Sequence, residues 1–190
     1  WSARLMIFVV WGIFFVAGIW IISAYNNLTA LRLRIDNGWR QIDVQLKRRY
    51  DLIPNLVETV KGYMQFEQET LQKVIDARSQ AMAVKGVKES AEAQNALNQS
   101  LGKVFALMEN YPELKSNQNV LNLQEELTTT ENRIAFARQY YNDLVTQYNT
   151  KQQVFPSNMI AGFFKFQLHD LFDVPEAEKA LPKVDLRLHP

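Results

Sequence analysis

The stretch KRRYDLIPNLVETV, Lys47 to Val60, decides the architecture. It lies inside a run that otherwise reads as helix, yet three basic residues precede an aspartate and a proline follows three residues later. A proline inside a helix removes a hydrogen bond and clashes with the carbonyl four residues back, at a cost of about 3 kcal/mol. The same residue is tolerated in a first turn, whose N–H groups have no intrahelical acceptor. With Asp51 as the N-cap, Pro54 falls at the third helical position, and the aspartate charge suits the positive end of the helix dipole. Lys47, Arg48 and Arg49 then close the preceding helix, where cations are favoured. This reading makes Asp51 and Pro54 a helix-turn, with the chain reversing near Tyr50–Asp51 in preference to a kinked continuous helix. The basic trio then needs no ligand; an anion or lipid-headgroup site is the alternative.

Outward from this stretch the apolar residues are periodic. Leu28, Leu31, Ile35, Trp39, Ile42 and Leu46 share one helical face. A second series runs Val57, Val60, Met64, then Leu71, Val74 and Ala81, and a third Leu97, Leu101, Val104, Met108 and Tyr111. The fourth, Leu123, Leu127, Thr130, Ile134, Ala137, Tyr141, Leu144 and Tyr148, alternates four and three without a miss, the seam of bundles and coiled coils. KGVKES at 85–90 breaks the pattern, with Ser90 as the next cap. YPELKSN breaks it at Pro112, with Ser116 or Asn117 as cap, and FPSN at 155–158 ends the fourth helix.

Ahead of these helices, LMIFVVWGIFFVAGIWIIS, Leu5 to Ser23, carries no charge. It spans roughly 28 Å as a helix, about the hydrocarbon thickness of a bilayer. SAY at 23–25 is a poor cleavage site, so an uncleaved anchor is expected rather than a signal peptide. Trp1, Trp20 and Tyr25 lie near its ends, where amphipathic rings favour the headgroup region. Arg32, Arg34 and Arg40 follow it against Arg4 before it, which favours a cytoplasmic domain. The chain opens on tryptophan rather than methionine, so the true start is expected upstream.

The expected fold is all-α: an antiparallel up-and-down four-helix bundle behind one N-terminal transmembrane helix. The expected divisions are an anchor at 1–24, the bundle at 25–154, a Phe-rich amphipathic segment at 155–172 and an extended tail at 173–190. The Phe-rich segment holds five of the eleven phenylalanines. Met159, Ile160, Phe163 and Phe164 share a helical face there. Phe155, Met159, Ile160, Phe163, Phe164 and Phe166 are the candidate interface or membrane contacts, with a core-capping role as the competing reading.

Composition narrows the chemistry. With 21 basic and 20 acidic residues the net charge is +1, and no clustered positive surface favours nucleic acid. The absence of cysteine excludes disulfides and thiolate chemistry. Both histidines, His169 and His189, fall near the C-terminal end, in the stretch from Gln167 onward, a poor place for a metal site or catalytic triad. No glycine-rich phosphate loop occurs. Glu67 and Arg78 fall on the apolar seam of the second helix, which calls for a polar partner such as Arg133, Arg138 or Glu131. Tyr140, Tyr141 and Tyr148 are expected in the core or at its rim, with hydroxyls reaching polar groups.

Taken in order, YNNL after the anchor, RRYDLIPNLVETVKGY at 48–63, MENYPELKSN at 108–117, EELTTTENRIAFARQYYNDLVTQYN at 125–149 and FPSNMIAGFFKF at 155–166 resemble the LemA family of bacterial membrane proteins. The resemblance implies a helical bundle behind a membrane segment and no enzymatic activity. A relative associated with magnetosome membranes points toward membrane organisation. Some relatives carry a lipoprotein-type signal instead, which would place their domain outside the cytoplasm. The expected role is a single-pass scaffold or assembly protein of the bacterial inner membrane, homo-oligomeric, with no cofactor, small-molecule substrate or nucleic-acid partner. The alternative is an accessory or adaptor subunit docking to another membrane protein complex.

Overall fold

The structure, a computed structural model, describes residues 2–172; the expected tail at 173–190, His189 and Trp1 lie outside the described residues. It is all-helical, with no strand among the described residues. Helix α1 runs Ser2–Lys61, a 3-10 turn covers Gln65–Glu67, and α2 runs Gln68–Ala83. Then come α3 (Val87–Met108), the short α4 (Pro112–Ser116), α5 (Gln118–Gln153) and α6 (Ser157–Phe163).

The expected reversal at Tyr50–Asp51 is not there. Helix α1 continues through both Asp51 and Pro54 to Lys61, so neither residue starts a helix. Two features explain the continuation. The buried face runs on without a phase break through Leu46, Tyr50, Ile53, Val57 and Val60, so burial rewards helix on both sides of the proline. The carbonyl that Pro54 deprives of its helical donor is that of Tyr50, four residues back. Arg78 supplies the missing donor, its Nε lying 2.6 Å from that oxygen. The chain reverses instead after Gly62, where Tyr63 and Met64 both donate to the Val60 carbonyl at 3.0 Å and Met64 is fully buried.

The described residues form two compact units. The first joins the chain up to Lys47 with Thr130–Leu171. Here α1 and α5 run antiparallel: Asn27 meets Lys151, and Gly38 lies against Tyr141 and Leu144. A Cβ added at Gly38 would stand 3.6 Å from Leu144 Cδ1, an ordinary contact. Trp39 and Tyr141 pack with ring centroids 5.7 Å apart.

The second unit is Arg48–Thr129, joined by Phe172. It holds the end of α1, all of α2, α3 and α4, and the start of α5. Helices α2 and α3 pack on each other through the turn at Val84–Gly86. Gly86 adopts φ 120°, a conformation that excludes side chains, and caps α3 in place of the expected Ser90. Ser90 is instead buried on the first turn of α3, its N–H donating to Gly86. The glycine opens the helix four residues early, and the Glu89 carboxylate lies where a side chain at 86 would stand. Helix α5 starts as expected: Asn117 Oδ1 accepts from the N–H groups of Asn119 and Val120 at 3.0 and 3.4 Å.

A buried polar layer crosses the second unit. Arg49 is only 5 % exposed and donates through Nη1 to Gln94 Oε1 at 3.3 Å and through Nη2 to Asn98 Oδ1. Gln94 donates to the Tyr50 hydroxyl, which reaches the Ala81 carbonyl at 3.4 Å. The basic trio is thus divided. Arg49 is internal, Lys47 faces solvent, and Arg48 makes a half-exposed contact with Glu126 at 3.8 Å, of a kind that contributes little.

Candidate membrane-proximal site

Among the described residues the apolar start of α1 has no packing partner. Leu5, Phe8, Trp11, Phe14 and Phe15 are each 69–73 % exposed, and the most apolar 18-residue window is wholly unburied. Such exposure is costly in water and ordinary in hydrocarbon. Two residues beyond this stretch stands Tyr25, and the chain returns to it after α5. Tyr25 packs against Phe164 and Phe166, with ring centroids 4.7 and 5.6 Å apart.

The return begins at Phe155–Pro156, a cis peptide, and continues into α6. This helix divides the expected contact residues between two environments. Ile160 and Ala161 are buried, and Phe166 is half-buried against Tyr148 at 6.5 Å. Phe155, Met159 and Phe163 are 79 %, 64 % and 80 % exposed. Phe164 lies between these extremes, touching both Tyr25 and Phe163. Met159 and Phe163 are four apart and share the outer side of α6; Ile160, which the periodicity groups with them, turns inward.

Helix α6 ends in a Schellman motif. Phe166 N–H donates to the Ala161 carbonyl at 2.9 Å and Lys165 N–H to that of Gly162 at 3.3 Å. The motif needs a left-handed residue at Lys165, which has φ 55°. Glycine is the usual occupant, and a side chain there costs roughly 1–2 kcal/mol. The turn seats Phe166 inward and leaves the lysine exposed.

Beyond Lys165 the chain runs extended along α5, held by side chains of that helix. Asn149 donates to the His169 carbonyl at 2.9 Å and accepts from its N–H at 3.0 Å. Gln152 donates to the Gln167 carbonyl at 3.3 Å. The buried Tyr141 hydroxyl donates to the Asp170 carbonyl at 3.0 Å. Burial first, then the charges of Asp170 and Asp36, push the Tyr141 phenol up to about 12. Burial also raises the Tyr148 phenol; Arg32 opposes the rise and Asp36 adds to it. Tyr140, by contrast, is half exposed. The periodicity located these tyrosines but not the strap they fasten, because the acceptors are main-chain carbonyls of an extended segment.

Of the polar residues on the second seam, Arg78 binds the Tyr50 carbonyl, and Glu67 belongs to the 3-10 turn. No cluster of potential metal ligands occurs among the described residues. His169 packs its ring edge-on to Tyr148 at 5.3 Å.

Among the described residues these features define an all-helical arrangement with one helix long and apolar enough to cross a membrane and a Phe-rich element beside the end of that stretch. The profile of the LemA family matches residues 38–186, and the chain belongs to that family. It is 27 % identical over 155 residues to Protein LemA of Metamycoplasma hominis, covering 81 % of this chain and 71 % of that protein. It is 21 % identical over 178 aligned residues to Magnetosome protein MamQ 2 and to Magnetosome protein MamQ 1 of Paramagnetospirillum magneticum. These alignments cover 80 % of this chain and 65 % of the magnetosome proteins, so the chain spans just under two thirds of those relatives.

Proposed function

We propose that the protein is a single-pass, membrane-anchored helical scaffold that assembles with copies of itself and performs no catalysis. The observation that carries this reading is the continuity of α1. The same helix supplies the wholly exposed apolar stretch and, from Leu28 onward, a buried face of the folded part. An anchor of that kind holds the folded part at a fixed height and azimuth over the bilayer, as assembly on a membrane requires. The helical runs are arranged as an antiparallel up-down-up-down four-helix bundle. The reversal after Gly62, the turn at Val84–Gly86 and the antiparallel pairing of α1 with α5 support it. Residence in the bacterial inner membrane with the folded part in the cytoplasm belongs to this reading, and the arginines after the apolar stretch support that side.

Self-association is supported by a second exposed surface in the first unit. Val44, Phe136 and Tyr140 are 63 %, 73 % and 48 % exposed around a groove of about 540 Å³, with Arg40 and Arg133 at its margin. Apolar residues clustered on helices otherwise rich in charge are characteristic of protein contacts. The mass of the detergent-solubilised particle tests the proposal. A defined multiple of the chain mass is expected, falling toward the monomer in Phe136→Asp with helicity unchanged. A monomeric particle refutes self-assembly. A stoichiometric foreign subunit retained through purification would establish the adaptor role instead.

A further inference from the structure

We propose that α6 and its Schellman turn form an interfacial lipid-binding element, in which Phe155, Met159 and Phe163 enter the headgroup–acyl boundary and Lys165 pairs with an anionic headgroup phosphate. The inference rests on the membrane-spanning reading of α1, and it holds whether or not the protein self-associates.

The occupant is fixed by continuity with the anchor. The apolar stretch of α1 ends at Ser23, and Tyr25 is placed where amphipathic rings settle at a bilayer surface. Phe164 packs on that ring at 4.7 Å, which brings α6 to the same level. At that level the side of α6 bearing Met159 and Phe163 is left open, while Ile160 and Ala161 fasten the other side to the protein. A short amphipathic helix beside a membrane-spanning one meets lipid before any other apolar phase. The two best-exposed rings, Phe155 just before this helix and Phe163 at its end, lie open on this side.

The lysine points to the charge of the lipid. Left-handed backbone at the end of α6 calls for glycine, and the chain places a lysine there instead. The Schellman bonds at Phe166 and Lys165 fix this residue two positions past Phe163, exposed at the same end of α6. Rings in the interface with an ammonium at the phosphate level are complementary to a bilayer surface containing anionic lipid.

The chain has no cysteine, so one introduced thiol carries one nitroxide. The full-length protein bearing Phe163→Cys, or Lys85→Cys in the exposed turn before α3, is reconstituted singly into bilayers of phosphatidylcholine alone or mixed with phosphatidylglycerol. Power-saturation spectra with oxygen and with a water-soluble nickel chelate report depth. The expected result is a several-fold higher oxygen-to-nickel ratio at position 163 than at 85, larger in the anionic bilayer. Adding Lys165→Gly, which relieves the backbone, should abolish the anionic increment while raising thermal stability. Equal ratios at 163 and 85 would overturn the proposal. So would dipolar broadening at 163 that disappears on dilution with unlabelled protein, since a second copy would then cover the face. An anionic increment that survives Lys165→Gly would overturn the role of the lysine.

Discussion

The guanidinium of Arg78 and the main-chain carbonyl of Tyr50 are joined at 2.6 Å, across from the proline that leaves that carbonyl without its helical donor. A mid-helix proline and an arginine on the apolar seam of the neighbouring helix are each unfavourable alone. Together they complete one hydrogen bond, and α1 continues for two more turns to the reversal that positions α2.

The pairing predicts non-additive stabilities. Arg78→Met should destabilise by about 1.5–3 kcal/mol, the range for a hydrogen bond to a charged group. In a Pro54→Ala background, where residue 54 regains its N–H, the same substitution should cost clearly less. Urea unfolding of the four-member cycle gives the coupling directly. Additive losses would mean that Arg78 acts through packing rather than through the orphaned carbonyl.

Gly38 is a helical glycine with room beside it. A methyl there meets Leu144 Cδ1 at 3.6 Å and the Tyr141 backbone at 3.8 Å, both ordinary contacts. Gly38→Ala should therefore stabilise by up to about 1 kcal/mol through helix propensity. A lower thermal midpoint would show that α1 and α5 approach more tightly than these distances allow.

Tyr141 should make the protein alkali-sensitive. Its phenol titrates near 12 when folded, against about 10 when unfolded. The folded state therefore holds the proton more tightly. This contribution is complete below pH 10 and is lost as pH rises through roughly 10 to 12. Tyr141→Phe should be less stable at neutral pH by about 0.5–1.5 kcal/mol, having lost the bond to Asp170. It should also show a shallower fall in denaturation midpoint above pH 10. An unchanged alkaline slope would assign the sensitivity to other groups, Tyr148 first among them.

The two helix starts make opposite demands on small substitutions. Asn117→Ala removes the acceptor for two N–H groups and should cost about 0.5–2 kcal/mol. Gly86→Ala places a side chain at φ 120° and against Glu89, and should cost at least as much. Thermal melts of the two variants beside Ser116→Ala, whose hydroxyl makes only an exposed bond within α4, would rank them. A neutral Gly86→Ala would require a different turn between α2 and α3.

The all-helical class, the apolar start and most boundaries were legible in the sequence because each rests on local periodicity or on a cap. The continuation of α1 through Asp51 and Pro54 has a cause that is also present in the sequence. Leu46, Tyr50, Ile53, Val57 and Val60 keep the four-three alternation across Pro54, whereas the second series skips from Met64 to Leu71 beside Gly62. Seam continuity and seam interruption outweighed the proline and the aspartate, since several buried side chains stabilise more than one lost hydrogen bond costs. A continuous α1 explains Arg78 on the apolar seam, for the orphaned Tyr50 carbonyl demands a donor. The candidate site was legible as composition only. The spacing grouped Ile160 with Met159 and Phe163, but which side of so short a helix faces inward depends on Tyr25 and on the bonds that hold the strap to α5. Those contacts join residues more than a hundred positions apart, or use main-chain acceptors, and neither leaves a pattern along the chain.

Because α1 is unbroken from Ser2 to Lys61, it also acts as a protractor. Each residue of an α-helix turns the chain by about 100° and advances it by about 1.5 Å. One alanine inserted after Ser23 would swing the open face of α6 roughly a quarter-turn around the anchor without disturbing a contact within the folded part. Four would bring it nearly back into phase, about 6 Å further from the bilayer. The number of residues between the last apolar side chain and Tyr25 is therefore a setting of compass bearing as much as of height.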